Sequence, residues 1–450
     1  MSRIAAYQLH YKKIIHLGIP IMLGQLGIII VGFADNIMVG HHSSIELAAA
    51  SFVNNFFNLT FLFGLGFSYG LTPIIGGLFA EKQLQKAGEV LKNSLFINGA
   101  MGLVLSLIML LLLCNLERLH QPEELIPYIV PYYILQLFSV FITMEFNAFK
   151  QFSDGTTDTL TPMWIMLSTN VLNILGNYVL IYGHWGAPEW GLVGAGVSTL
   201  LSRTVALVAF IGLFMFKPKY AAYRVGFVAG RVNRANLRKL FHLGLPVGFQ
   251  MGVESGSFNL SVIMMGWIGS AALAAHQVVG VITTLGFMIY YGIAAAVTIR
   301  VSQFRQWNDL LNVRRATFAG FHLILAVAVV VMFSIFLFRE RIGYLFTNEE
   351  EVVHLVALLC WSVILYQVGD GLQIVFANAL RGLSDVNYMA WMAFLCHFGM
   401  ALPIAYVCGF VLGCGPIGIW SGFPLSLTLL GLLLYGRFHK LTKNPRLGAS

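Results

Sequence analysis

Four acidic side chains lie inside long apolar stretches of this sequence: Asp35, Glu145, Glu254 and Asp370. The first lies in the run IIHLGIPIMLGQLGIIIVGFADNIMVG, which begins at residue 14. An ionised side chain at the centre of a bilayer costs about 2.5–3.5 kcal/mol even on lenient insertion scales. Such an acid is retained where it faces the interior of a helix bundle or a wet cavity. We therefore interpret these acids as candidates for binding a cation or a proton.

Polar residues near these acids recur at a spacing of four: Asn173 with Asn177, Gln250 with Glu254, and Tyr366 with Asp370. Residues four apart lie on the same face of an α-helix. Oxygen-rich side chains on one face can coordinate a hard cation such as Na⁺ or carry a proton. Asparagine pairs also hydrogen bond between neighbouring helices. The spacing alone leaves these alternatives open.

The rest of the sequence is unusually poor in charge. Of its 450 residues, 58% are hydrophobic and 10% are charged, whereas a soluble domain carries about 25% charged residues. Apolar stretches of about 20 residues fit the ~30 Å core of a bilayer. The first stretch is too long for a cleavable signal peptide and has no small-residue cleavage site, so we expect it to remain as a helix. Twelve transmembrane helices are predicted, at 14–40, 47–79, 91–114, 127–149, 160–182, 191–216, 240–266, 272–300, 316–338, 353–380, 386–412 and 416–436.

Basic residues are distributed unevenly between the predicted connections. Of 27 Lys and Arg residues, 23 lie at the two termini or in the even-numbered connections, with the largest group at 217–239. The positive-inside rule predicts that both termini and this linker are cytoplasmic. Membrane topology thus accounts for the net charge of +8, and we expect no nucleic-acid partner.

The two halves of the chain repeat each other. HLGIP at 16–20 recurs as HLGLP at 242–246, and NAFKQFSD at 147–154 parallels NALRGLSD at 378–385. Each repeat holds six predicted spans, an even number, so the halves should be related by an axis along the membrane normal. We predict an amino-terminal lobe at 1–216, a basic linker at 217–239 and a carboxy-terminal lobe at 240–450. This organisation suits a secondary transporter better than a channel or a membrane enzyme.

Several motifs of the chain are similar to those of one transporter family. They are ADNIMVG (34–40) followed by ELAA, NILGNYVLIYG with GAPEWGLVGAGVST (173–199), Glu254, and YQVGDGLQIVFANALRG (366–382). Together they resemble the multidrug and toxic compound extrusion (MATE) transporters, most closely the NorM-like bacterial branch, over essentially the whole chain. The resemblance implies an all-α membrane protein with twelve transmembrane helices in two pseudo-symmetric six-helix bundles. It further implies a V shape with a lumen between the bundles, and export of organic cations against an inward flow of Na⁺ or H⁺.

The resemblance also implies which residues bind cations: Asp35, Asn173, Asn177 and Thr199 in the amino-terminal lobe, and Glu254, Tyr366 and Asp370 in the carboxy-terminal lobe. Ser198 could serve in place of its neighbour Thr199. The archaeal-type branch has a second acid where this chain has Asn177, which argues against a mechanism that needs two acids in this lobe. A proton needs one acid, whereas Na⁺ needs several converging oxygens, so the neutral oxygens favour Na⁺ as the coupling ion.

These assignments lead to further expectations. We expect a monomer in the plasma membrane of a bacterium, with organic cations and the bilayer as partners, no structural metal and no cofactor beyond the coupling ion. We expect no enzymatic activity, because the sequence shows no nucleophile–base or metal constellation. An alternative function is that of a flippase for lipid-linked saccharides, whose lumen is usually rich in Arg and Lys. Here Arg203 is the one basic residue well inside a predicted span, either neutralising an acid or reaching towards an interface. With three unpaired acids, the lumen should favour cations and reject anions.

Overall fold

The computed structural model describes residues 3–116 and 122–443, with side chains described from Tyr7 onward. Arg118 and the terminal residues 1–2 and 444–450, which enter the charge-based topology prediction, lie outside the described residues. Within the described ranges the chain is helical and contains no β-strand. The prediction of an all-α protein is confirmed.

Eight α-helices form the first half of the described chain: α1 (Arg3–His42), α2 (Ser44–Ser68), α3 (Leu71–Ala80), α4 (Leu84–Leu113), α5 (Ile126–Gly155), α6 (Leu160–Tyr182), α7 (Gly191–Phe216) and α8 (Ala221–Ala229). Seven follow in the second half: α9 (Arg234–Ile268), α10 (Ser270–Gln306), α11 (Leu310–Ile342), α12 (Glu350–Gly382), α13 (Val386–Cys396), α14 (Leu402–Tyr406) and α15 (Gly415–Lys443). Two π-helical turns, His397–Ala401 and Val407–Val411, flank α14.

Eleven helical segments of the described chain are long and apolar enough to cross a membrane. They coincide with eleven of the twelve predicted spans. The remaining span lies in α9, which has 35 residues and is therefore about 50 Å long. Polar residues such as Gln250, Glu254 and Asn259 lower its hydropathy, although its length exceeds the ~30 Å of a bilayer core. The structure is thus consistent with twelve membrane-spanning helices.

The contacts of the described residues divide the chain into two units. We call residues 23–248 the amino unit, and residues 249–443 together with 3–22 the carboxy unit. The first helix of each sequence repeat, α1 and α9, is shared between the units. Pro20 and Pro246 each lie two residues before the division. A proline inside a helix removes one backbone hydrogen bond and favours a kink, so both divisions fall beside a position where the helix lacks a backbone hydrogen bond.

The basic connection at 217–239 contains the helix α8. Its beginning is anchored to the turn between α5 and α6: Lys219 Nζ and Tyr220 Oη donate to Asp158 Oδ2 at 2.5 and 2.7 Å. Burial opposes the charge on Asp158, but the hydrogen bonds from Lys219 and Tyr220 outweigh it and hold the pKa of this carboxyl below its usual range. The carboxylate therefore stays ionised and fixes the start of the connection.

Glycines allow α8 to lie directly on α4. A Cβ on Gly226 would lie 1.8 Å from the backbone oxygen of Gln85, and one on Gly88 would lie 1.9 Å from the backbone oxygen of Tyr223. Both obstacles are backbone atoms, which no rotamer change can move aside.

We expect Gly226→Ala to reduce the amount of folded protein, because the added methyl group pushes α8 away from α4. Overpacking of this kind costs about 1–3 kcal/mol. Fluorescence-detected size-exclusion chromatography with a thermal challenge measures the effect. Gly212→Ala in α7 is the matched control, since its Cβ meets nothing within 4 Å, and it should equal or exceed the wild type. Equal stability of the two variants would contradict the assigned packing.

Candidate functional site

The structure brings the four predicted residues of the amino-terminal lobe together. Asn177 Nδ2 donates to Asp35 Oδ1 at 2.5 Å and lies 3.4 Å from Asn173 Oδ1. Asn173 Nδ2 in turn donates to Thr199 Oγ1 at 3.1 Å. Because the asparagines are one turn apart on α6, they connect α1 on one side with α7 on the other. The result is one chain of polar side chains across three helices.

Thr199, and not Ser198, takes part in this chain through its side chain. Ser198 Oγ donates to the backbone oxygen of Asn173 at 2.8 Å, which leaves it facing the α6 backbone. A Cβ on Gly176 would lie 2.4 Å from Ser198 Oγ, so the two helices approach closely at this level. The small residues of the GLVGAGVST segment are what permit this approach.

A cavity of about 330 Å³ opens beside Asp35, Asn173 and Thr199, within the amino unit. Its volume lies at the lower end of the range typical of sites for small molecules. Aromatic rings of Phe57, Phe61 and other residues supply apolar wall. The polar lining consists largely of amides, including Gln25, Asn36, Asn54, Asn58, Gln136 and Asn170. Among the described residues, such a lining offers many oxygen acceptors around one acid, Asp35.

Arg203 lines the same cavity, which settles one of the alternatives left open by the sequence. Its Nη1 donates to Gln136 Oε1 at 3.2 Å and also to Ser139 Oγ. The guanidinium lies over the ring of Phe57, 4.6 Å from its centroid. The side chain thus turns inward and does not reach for an interface. The intramembrane arginine itself was the signal for this site, but its partners could not be read from the sequence.

Two other basic residues are buried near helix ends, where the sequence suggested connections. Lys150 in α5 pairs with Asp154 one turn later, at 3.0 Å. Arg381 in α12 is 5% exposed and donates from Nη1 to Asn378 Oδ1 at 3.2 Å. The sequence indicated Arg203 as the one basic residue well inside a predicted span, but the structure buries Lys150 and Arg381 as well. Lys150 is neutralised by its own ion pair, because both side chains are buried together.

The carboxy unit contains the second predicted set, Glu254 in α9 and Tyr366 with Asp370 in α12. Asp370 is fully buried and Tyr366 is 3% exposed. The three side chains are close enough to interact electrostatically. Among the described residues, neither carboxylate oxygen of Asp370 has a hydrogen-bond partner. A buried ionised carboxylate without a partner is strongly unfavourable, so this site requires a cation or a proton.

One further residue, Gln373, joins this site, and it did not stand out in the sequence. Gln373 hydrogen bonds to Glu254, while its own Oε1 has no partner within the described chain. The same holds for Oε1 of Gln250, one turn before Glu254 on α9. Gln373 lies three residues after Asp370, a spacing that could have placed both on one face of α12. Acceptor oxygens without donors are what a hard cation would satisfy.

Glu145, the remaining intramembrane acid, lies apart from both sets. Its Oε1 packs against α4, where a Cβ on Gly99 would lie 2.5 Å from it. The structure therefore places Asp35 in the amino unit, Glu254 and Asp370 in the carboxy unit, and Glu145 at a contact between α5 and α4.

A family model, MatE, matches residues 20–179 and again 246–407. The two matches begin at Pro20 and Pro246, so each half of the chain fits the model separately, in agreement with the sequence repeat. The model covers more than half of the chain.

Curated relatives match over nearly the whole length. A probable multidrug resistance protein NorM of Xanthomonas campestris is 30% identical over 443 residues, covering 96% of this chain and 95% of the relative. The multidrug resistance protein NorM of Aliivibrio fischeri is 29% identical over 452 residues, covering 98% and 96%.

Solved structures show the same fold. An outward-facing multidrug resistance MATE family transporter of the MOP superfamily superposes with a TM-score of 0.88 at 21% identity, covering 96% of each chain. A eukaryotic MATE transporter gives 0.87 at 17% identity, covering 97% of this chain and 98% of the other. At these identities the likeness concerns the fold alone.

Proposed function

The chain belongs to the MATE family of multi-pass membrane transporters, and from this premise we propose that it exports organic cations in exchange for inward Na⁺. The buried carboxylate of Asp370, whose two oxygens have no partner in the described structure, requires a cation or a proton. The observation that carries the choice of Na⁺ is the amide of Gln373, which hydrogen bonds to Glu254 and whose Oε1 has no partner in the described structure. Oε1 of Gln250, one turn before Glu254 on α9, is likewise unpartnered among the described residues. Na⁺ is coordinated by several oxygens at once, whereas a proton adds a single donor.

Exchange follows from competition for the same negative charges. A Na⁺ that enters the carboxy unit neutralises Asp370, and its departure restores a carboxylate that attracts a cation again. The coupling ion and a cationic substrate therefore compete for these acids, and binding of one weakens binding of the other. Inward movement of one charge gains ~2.3 kcal/mol per 100 mV of membrane potential for Na⁺ and H⁺ alike. Ligand chemistry, and not voltage, therefore supports Na⁺.

The names of the relatives support multidrug efflux as the wider activity. We expect expression in a pump-deficient bacterial host to raise the inhibitory concentration of ethidium and of quaternary ammonium compounds severalfold. The acids at both sites favour cations, and aromatic rings such as Phe57 and Phe61 accommodate flat apolar groups. Unchanged sensitivity across a broad cation panel, with the protein detected in the membrane, would count against drug export.

The proposed orientation places both termini and the connection containing α8 in the cytoplasm of a bacterium, with the transporter in its inner membrane. Its support is the 23 of 27 basic residues on that side and the positive-inside rule. Natural cysteines provide an internal reference, because Cys114 and Cys414 are exposed. Cys114 ends the third predicted span and Cys414 follows the eleventh, both on the side predicted to face outward.

Single-cysteine variants test this orientation with a membrane-impermeant maleimide. In intact cells we expect Cys114 and Cys414 to be labelled and Val228→Cys, placed at a 72% exposed position of α8, to be protected. Everted vesicles should give the reverse pattern. Efficient labelling of Val228→Cys in intact cells would overturn the orientation.

A further inference from the structure

The carboxy unit contains a buried base on the same helix as one of its acids. Arg381 lies eleven residues after Asp370 on α12, and its side chain is almost fully buried. Its Nη1 donates to Asn378 Oδ1 at 3.2 Å, about one turn nearer to Asp370. The side chain therefore points back along α12 towards the acid, which is the direction that side chains on an α-helix favour.

The guanidinium of Arg381 is held at a short distance from the contact between α12 and Glu254. Thr298 Oγ1 on α10 donates to the backbone oxygen of Asn378 at 2.8 Å, which fixes this turn of α12 against α10. Gln373, which hydrogen bonds to Glu254, precedes Asn378 by five residues, or about 7.5 Å along the helix axis. The base is thus about one and a half turns of helix from the level of Glu254.

The charge of Arg381 balances the charges of the candidate cation site. Arg381 interacts electrostatically with the Glu254 carboxylate. When Glu254 and Asp370 are both ionised, they carry two negative charges, and Arg381 reduces this total to one. A single Na⁺ then neutralises the site. Without Arg381, one negative charge would remain after Na⁺ had bound, and an uncompensated buried charge is strongly unfavourable. The base therefore matches the site to one monovalent cation.

The sequence repeat places a base at this position in both halves, but the two bases have different surroundings. Lys150 in NAFKQFSD corresponds to Arg381 in NALRGLSD. Lys150 pairs with Asp154 at 3.0 Å in the amino unit. The corresponding carboxylate of the carboxy unit, Asp385, accepts from Arg437 Nε at 2.6 Å. The base thus serves an ion pair at the end of α5 in one half and acts on an acid of the candidate cation site in the other.

We propose that Arg381 is an internal counter-cation of the carboxy unit, which weakens Na⁺ binding at Glu254 and thereby speeds release of the ion. Arg381 lies at the end of α12 (Glu350–Gly382) that the proposed orientation places towards the cytoplasm, the side on which inward Na⁺ is released. After the ion has left, the guanidinium still offsets the charge of Glu254, so rebinding from the cytoplasm is disfavoured. The inference rests on the proposed function, because it takes Na⁺ as the coupling ion.

Removal of this positive charge should strengthen the binding of sodium. We expect Arg381→Gln to bind Na⁺ about tenfold more tightly, because two unit charges about 10 Å apart in a protein interact by roughly this factor. A scintillation proximity assay with ²²Na⁺ measures equilibrium binding to the purified full-length protein, and dilution into unlabelled NaCl measures dissociation. Dissociation should slow by a similar factor. Arg381→Lys keeps the charge and should remain close to the wild type.

Asn378→Asp tests the same charge while leaving Arg381 in place. The substitution turns the amide that lies 3.2 Å from Nη1 into a carboxylate of the same size, which neutralises the guanidinium. We expect this variant also to bind Na⁺ more tightly and to release it more slowly. Arg305→Gln is the control for loss of a base at the same end of the unit. Arg305 donates to Ser384 Oγ at 2.5 Å, beyond the end of α12, so Na⁺ binding should be unchanged.

The direction of the change separates the proposed role from a structural one, because loss of a purely structural residue does not increase affinity. Unchanged or weaker Na⁺ binding in folded Arg381→Gln and Asn378→Asp proteins would overturn the proposal. In liposomes, Arg381→Gln should exchange Na⁺ for ethidium more slowly despite its tighter binding, and undiminished exchange would also overturn it. Failure of the proposed function gives a different result: the wild type itself would bind no Na⁺, which would contradict sodium coupling and this inference together.

Discussion

Asp370→Asn is expected to abolish sodium-driven efflux, with a loss of at least about a hundredfold. The substitution keeps the size of the side chain and removes only its charge. Leaving a buried charge without its partner costs about 3 kcal/mol or more, and about 1.4 kcal/mol corresponds to a factor of ten. Here the unpaired charge would be that of the Na⁺, which therefore would not bind. Dye accumulation in everted vesicles loaded with Na⁺ measures the effect.

Glu340→Gln is the control for exchanging a carboxylate for an amide. The Glu340 side chain is 75% exposed and its only charge-paired neighbour in the described structure is Arg339, so we expect full activity. Size-exclusion chromatography must show that Asp370→Asn is folded and inserted, which is expected because a neutral amide is cheaper to bury than a carboxylate. Full efflux by a folded Asp370→Asn protein would contradict the role assigned to the carboxy unit.

Asp35→Asn should reduce coupled efflux by about tenfold, less than the change at Asp370. Asp35 faces the cavity and is only partly buried, and its neighbours Asn173 and Thr199 keep their oxygens. The expected loss corresponds to ~1.5 kcal/mol, the lower end of values for hydrogen bonds to charged groups. The initial rate of dye accumulation in everted vesicles loaded with Na⁺ provides the measurement.

An exchanged pair distinguishes charge from position. Asn177 Nδ2 donates to Asp35 Oδ1 at 2.5 Å, so Asp35→Asn combined with Asn177→Asp retains one carboxylate and one amide in contact. We expect this double variant to recover part of the activity lost in Asp35→Asn. Wild-type activity in Asp35→Asn alone would exclude the amino-unit acid from coupling.

Much of this architecture could be predicted because it depends on local patterns. The apolar stretches predict the helices, and the repeat of HLGIP as HLGLP predicts the two halves. Asn173 and Asn177 could be assigned to one face, because four residues make about one turn of helix. That Asp35 would lie against that face could not follow from spacing, since spacing on one helix says nothing about its neighbours.

Other features depend on contacts between helices and were therefore missed. The role of Gln373 follows from its hydrogen bond to Glu254 on α9, a contact between two helices. The contacts of Arg203 with Gln136 and Phe57 join α7 to α5 and α2, and no local pattern indicates which helices meet. Likewise the glycine contact that holds α8 on α4 involves Gly226 and Gln85, which are far apart in the chain.

Transport by the purified protein in liposomes tests sodium-coupled cation export most directly. With the membrane potential clamped at zero, a Na⁺ gradient alone should drive ethidium movement against its own gradient, and a protonophore should leave the rate unchanged. Radioactive ²²Na⁺ should move in the opposite direction, in a fixed ratio to ethidium. Ethidium transport that is indifferent to Na⁺ and collapses with a protonophore at zero sodium would contradict the account.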